Sequence, residues 1–153
     1  GTLDPHACFL LHRGVKTLAL RMARHNESAL KIAQFLEYHP SVKQVNYPGL
    51  ETNPHHIRAK ELFDGFSGML SLELKGGQEA VNQFMKKVTL PVVAPSLGGV
   101  ESLITLPATT SHSGMSSEER RSIGISNSLV RMSVGIENVK DLIADFEQAL
   151  GQL

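Results

Sequence analysis

The stretch that most constrains this chain is LVRMSVGIE at residues 129–137, where side-chain character alternates with a period of two. The alternation puts Val130, Met132, Val134 and Ile136 on one face of a strand and Leu129, Arg131, Ser133 and Gly135 on the other. Arg131 therefore points away from the apolar face, with a small neighbour two residues on. An arginine with cleared space in front of it is a candidate anion clamp, because its planar fork meets a carboxylate through two parallel hydrogen bonds. On spacing alone, the commoner role for a mid-strand arginine is a solvated residue or an interdomain ion pair. Some twenty residues upstream, residues 95–112 read PSLGGVESLITLPATTSH, a Ser-Leu-Gly-Gly turn feeding a short apolar run at 103–106. This is a turn leading into a strand.

The remaining segments alternate helix and strand. Asp4-Pro5 closes a polar opening loop and favours helix entry. Apolar residues at 11, 15, 18 and 22, then at 29, 32, 33 and 36, keep helical spacing. If continuous over 9–38, this helix is about 30 residues and roughly 45 Å long. That is too long for one small domain to cover, so part of it is expected to dock on something outside this chain. Gly14 and residues 24–26 are candidate kinks.

His39-Pro40 stops the helix, and residues 42–47 form a short strand before the Pro48-Gly49 turn. Asn53 with Pro54 reads as a cap and first helical residue for a helix through about 63. SGMLSLELKGG (67–77) is the clearest strand, and 78–88 is an amphipathic helix. Residues 90–94 make a short edge strand. Ser116 with Glu119 forms a capping box for a two-turn helix that stops at Gly124. A final helix over 139–150 carries a well-formed apolar stripe. The pattern predicts an α/β (α+β) domain: a mostly antiparallel sheet of about four to five strands with helices packed on one side.

At 153 residues with no net charge, the chain can bury a real core and offers nothing that draws it to nucleic acid or membrane. The lone Cys8 cannot form an intrachain disulfide, which favours a reducing compartment; it reads as a small buried hydrophobe. No stretch approaches a transmembrane length or a signal peptide. The start at Gly1 reads as that of a fragment or processed piece.

Other constellations fall short of chemistry. His55 and His56 are adjacent and project about 100° apart on a helix, so they cannot share a metal ion as an i, i+4 pair can. Ser111-His112 suggests a nucleophile and base, but neighbours on a strand face opposite ways and no orienting acid accompanies them. Gly98-Gly99 and Gly76-Gly77 match no phosphate-loop pattern and fit turn geometry. Lys16, Arg21 and Arg24 form a solvated or interface row. No complete catalytic set is present.

The phrases LLHRGVKTLALRMARHN, VNYPGLETNPHHIRAK, GFSGMLSLELKGG, PSLGGVESL with PATTSHS, and LVRMSVGIENVKDL follow one another along essentially the whole chain. In that order they resemble the carboxy-terminal domain of the Cys/Met-metabolism family of pyridoxal-phosphate enzymes. That family includes cystathionine gamma-synthase, cystathionine beta- and gamma-lyase, and methionine gamma-lyase. The resemblance implies a fold-type I enzyme's small domain, preceded by a long interdomain helix. Residues 1–40 would be the end of the large domain and that helix, and 41–153 the substrate-orienting domain.

The resemblance also implies pyridoxal 5'-phosphate, held mainly by an amino-terminal large domain that carries the Schiff-base lysine. This chain would then hold no catalytic, cofactor-binding or metal-binding residue and be inactive alone. Its contribution would be substrate binding: Arg131 matches the arginine that grips the substrate α-carboxylate, and Ser96 with the Leu97 backbone matches the turn beside it. The expected partners are an amino-acid substrate, the large domain and further copies in a homo-oligomer, in the cytoplasm, with no nucleic acid or membrane.

Two departures bear on the reaction. Pro95 stands where some gamma-lyases and synthases carry glutamate, and PATTSHS lacks the commoner methionine before the threonine. The expectation is gamma-carbon chemistry on cystathionine or an activated homoserine ester. The alternatives are a methionine gamma-lyase-type C–S lyase or a non-catalytic oligomerisation or binding module that kept the fold.

Overall fold

The computed structural model describes every residue except Gln152. Its elements are α1 (Pro5–Val15), α2 (Leu18–Glu37), β1 (Val42–Asn46), α3 (His56–Leu62), β2 (Met69–Leu74), α4 (Gly77–Lys87), β3 (Val92–Val93), β4 (Leu103–Thr105), a 3-10 turn (Pro107–Thr109), α5 (Ser117–Ser122), β5 (Leu129–Ser133) and α6 (Val139–Leu150). The five strands form one mixed sheet in the order β1-β2-β5-β4-β3. β1–β2, β2–β5 and β5–β4 are antiparallel, and β3 joins the edge parallel to β4.

The register explains why one face is buried. Leu70 pairs with Met132 and Leu72 with Val130, while Ile104 pairs with Met132 on the other side. These side chains share one face, and α2, α4 and α6 cover it with Ile32, Leu36, Val81, Phe84, Leu142 and Phe146, all fully buried. The alternation in β2 and β5 thus specifies the core directly, since a one-residue slip would turn every one of these groups outward.

The opposite face carries Ser71, Arg131 and Thr105 in a row across three strands. β3 decides what lies over that row. A strand parallel to its sequence neighbour forces the chain to return to the starting end before β4 can begin. Residues 94–102 make that return, and the Ser-Leu-Gly-Gly turn travels with them.

Five expectations are corrected. The single helix over 9–38 is two helices: α1 ends at Val15 and α2 starts at Leu18, with Thr17 at its N-cap position but making no side-chain cap. Arg21 folds back over the break, donating from Nη2 to the Gly14 carbonyl at 3.0 Å. The chain runs unbroken through 24–26. Asn53 does not cap a helix: its Oδ1 accepts from the His55 N–H in a turn, and α3 starts at His56. Cys8 is exposed, since α1 buries none of its residues within this chain. Finally, Ile136 lies past the end of β5 and is exposed rather than part of the apolar face.

The cap at Asp4, the capping box of Ser116 and Glu119, and the cap at Asn138 all form. Gly98 and Gly76 adopt φ of +74° and +86°, so both serve turn geometry.

Candidate functional site

Arg131 sits in the middle of β5 with Ser71 beside it on β2 and Thr105 on β4. All three are on the face away from the core helices. The guanidinium reaches the returning segment: Nη2 donates to the carbonyls of Pro95 at 2.7 Å and Ser96 at 3.0 Å. Nε is buried and has no acceptor among the described residues. The side chain is thus fixed through Nη2, while Nη1 has no acceptor among the described residues and is left as a charged donor for an anion.

Three further ties hold the bend. Ser133 Oγ accepts from the Gly98 N–H at 2.9 Å. The Ile136 N–H donates to the Val100 carbonyl at 2.9 Å. Glu137 takes the Ser102 N–H at 2.6 Å and its hydroxyl at 2.9 Å, and that same hydroxyl accepts from the Gly135 N–H at 2.8 Å. Gly135 is obligatory here, because a Cβ would stand 2.3 Å from the Val100 carbonyl oxygen.

The sequence-predicted residues are therefore together: Arg131, Ser96 and Leu97 occupy one corner of the open face, with the Leu97 side chain 58% exposed. Sequence reading placed Ser133 beside Arg131 by alternation but gave it no task, and it overlooked Glu137. Glu137 lies after the strand, where periodicity carries no signal.

Ser111 and His112 lie in a turn, where Ser111 Oγ and His112 Nδ1 come within 2.8 Å. The sequence reading that kept them apart assumed a strand. Among the described residues no acid orients the imidazole, so no nucleophilic set results there. No group of three His, Cys, Asp or Glu able to hold a metal exists among the described residues.

A family model described as Cys/Met metabolism PLP-dependent enzyme matches residues 1–151. The chain belongs to that family. It is 47% identical over 147 residues to a cystathionine gamma-lyase of Dictyostelium discoideum, covering 96% of this chain and 38% of that protein. It is 46% identical to an L-methionine gamma-lyase of Fusobacterium nucleatum subsp. polymorphum, covering 99% and 38%. It is 44% identical to the chloroplastic cystathionine gamma-synthase 1 of Arabidopsis thaliana, covering 98% and 27%. The chain thus spans well under half the length of these relatives.

Membership of this enzymatic family implies pyridoxal phosphate. A lysine that condenses with an aldehyde must be neutral, and proteins achieve this by desolvating it or setting it beside other cations. No lysine among the described residues is buried, and Lys31 and Lys43 are held by Glu27 and Glu73. The described residues therefore do not by themselves make a holder for the cofactor's aldehyde, and what they offer is a guanidinium donor on the open face of the central strand.

Proposed function

We propose that this chain is the carboxy-terminal, substrate-orienting domain of a longer pyridoxal-phosphate-dependent enzyme of sulfur amino-acid metabolism. Its task is to bind the substrate α-carboxylate at Arg131, flanked by Ser96 and the Leu97 backbone. The observation that carries this reading is the guanidinium itself: anchored by Nη2 to the bend, with Nη1 left without an acceptor among the described residues. An arriving carboxylate supplies that nitrogen with an acceptor in a charge-assisted hydrogen bond.

Holding that group fixes the rotation of the α-carbon and hence which of its bonds stands perpendicular to the cofactor ring. The bend over Arg131 keeps water from one side of the pair, so the ionic hydrogen bonds form in a lower dielectric than bulk solvent. The large domain supplies the cofactor and the lysine. The reaction we favour is at the gamma carbon of cystathionine or an activated homoserine ester; gamma-lyases and a gamma-synthase are among the relatives at 44–47% identity, beside cystathionine beta-lyases at 46%.

The apolar residues of α1, with Phe9, Leu10 and Leu11 each more than half exposed, support packing against that large domain within a homo-oligomer. The unpaired thiol of Cys8 fits a reducing, cytoplasmic setting. No helix among the described residues is long and apolar enough to cross a membrane.

The test is the absorption spectrum of the full-length gene product. A bound-cofactor band that shifts on addition of L-cystathionine supports the assignment, and a colourless protein inert to sulfur amino acids overturns it. In that protein, Arg131→Ala is expected to raise KM strongly while the cofactor band persists. Unchanged kinetics would remove the carboxylate site.

A further inference from the structure

The ties around the bend form a pattern that the binding of a carboxylate does not by itself require. Two side chains from β5 and its continuation, Ser133 and Glu137, grip the returning segment at points on either side of Val100. Ser133 is 2% exposed and spends its hydroxyl oxygen on the Gly98 N–H, next to Leu97. Glu137 spends both carboxylate oxygens on Ser102, whose backbone begins the approach to β4. Between them the Val100 carbonyl is bound by the Ile136 N–H.

Arg131 is the remaining tie, and it holds the start of the bend through carbonyls that compete with any ligand for its donors. The position of the bend therefore sets how much of the guanidinium fork is left for an anion. If residues 95–100 relaxed toward Arg131, the carbonyls would occupy more of the fork, and if they lifted away, the fork would lose its orientation.

We propose that Ser133 and Glu137 are positioning residues for the carboxylate site, fixing the height of the 95–100 bend above β5 so that Arg131 presents a preset fork. This rests on the assignment of Arg131 as the carboxylate clamp. Both residues act on the returning segment, Ser133 through the Gly98 amide and Glu137 through the amide and hydroxyl of Ser102, and neither is needed to touch substrate. It also gives a specific signature, because only ligands that carry the α-carboxylate should feel their loss.

The experiment compares L-methionine with 3-(methylthio)propylamine, its counterpart lacking the carboxylate, as ligands of the full-length holoenzyme, with binding read from the cofactor absorbance. Ser133→Ala removes one neutral hydrogen bond and is expected to weaken L-methionine about three- to ten-fold, leaving the amine unchanged. Glu137→Ala should act in the same direction. Glu137→Gln should recover part of the loss, since its amide oxygen still accepts the Ser102 N–H. Ser116→Ala is the structural comparison: it removes the cap that α5 receives at the Glu119 N–H, a bond with no partner in 95–102, and should lower Tm without changing the ratio of the two affinities.

Arg131→Ala separates the two levels of inference. A ratio that collapses in Arg131→Ala yet stays at the unsubstituted value in Ser133→Ala and Glu137→Ala overturns the positioning role alone. A ratio unmoved by Arg131→Ala removes the carboxylate site, and the positioning role with it. Should Ser133→Ala fail to retain cofactor, Glu137→Gln still decides the matter: a ratio intermediate between the parent and Glu137→Ala supports the role, and equal losses of both ligands overturn it.

Discussion

Arg131 owes its usefulness to a planar fork with several fixed donors, of which the protein consumes only one nitrogen. A lysine at this position would offer a compact charge on a flexible stem and could not both tie the bend and meet a carboxylate bidentately. Arg131→Lys is therefore expected to recover little of the loss seen in Arg131→Ala, which should be about 2–5 kcal/mol in kcat/KM. Steady-state kinetics with a sulfur amino acid measures it, and near-complete rescue by lysine would show that charge alone suffices.

Glu73 gives a second residue-scale expectation. The ammonium of Lys43 at 2.8 Å, aided by the Ser126 hydroxyl at 2.6 Å and opposed by partial burial, holds its carboxyl below the ordinary carboxylate range. A depressed folded-state pKa stabilises the fold above the unfolded value, and this contribution is lost as pH falls through the folded value. Chemical denaturation between about pH 6 and pH 3 should thus show a loss of stability on acidification that is smaller in Glu73→Gln. An identical pH profile in the variant would contradict it.

At the scale of elements, the return segment between β3 and β4 links fold to site. Because β3 is parallel to β4, residues 94–102 must cross the sheet's open face, and close backbone approach at Gly135 lets them settle there. Gly135→Ala would drive a methyl group into the Val100 carbonyl and the Glu101 backbone, contacts that no rotamer change can relieve. It should cost about 1–3 kcal/mol of stability and weaken substrate binding, measured together by thermal unfolding and KM. A variant with unchanged KM would detach the bend from binding.

The α4–α6 layer has its own lock in Asp145. Burial pushes its carboxyl upward, but the Thr89 hydroxyl, the Leu90 and Thr89 amides and Gln148 outweigh that and hold it below the ordinary range. Asp145→Ala leaves those amides without their acceptor, at a cost of about 1–3 kcal/mol.

Over the whole molecule, the sheet and three core helices close one face completely, whereas α1 has no cover within the chain. Leu20, at 75% exposure on the first turns of α2, continues the same uncovered surface. The packing of α1 against a large domain that we propose accounts for both. Cys8 reports on this directly: it should react readily with a thiol reagent in residues 1–153 alone and slowly in the full-length protein. Equal rates would mean that α1 stays uncovered.

Much of this was legible beforehand because it depends on local rules. The alternation in β2 and β5 and the stripe of α6 encode which face is buried, and a side chain's face follows from chain geometry alone. The capping box of Ser116 and Glu119 is equally local, as both partners lie within one turn. The misreadings at 16–17 and 53–55 fell where a local side-chain hydrogen bond favours a break or a turn over continued helix. The break at 16–17 is stabilised by Arg21 reaching back to Gly14, and the turn at 53–55 by Asn53 accepting from His55, arrangements that compete closely with helix.

The sequence by itself determined the order of helices and strands, the apolar face of the sheet and the side on which Arg131 must stand, since backbone periodicity and capping act between near neighbours. Only the tertiary structure decided that the Ser-Leu-Gly-Gly turn comes to rest on that arginine and that Ser133 and Glu137 hold it there. Those contacts join residues more than thirty positions apart, and they arise because a parallel edge strand sends the connecting chain back across the sheet.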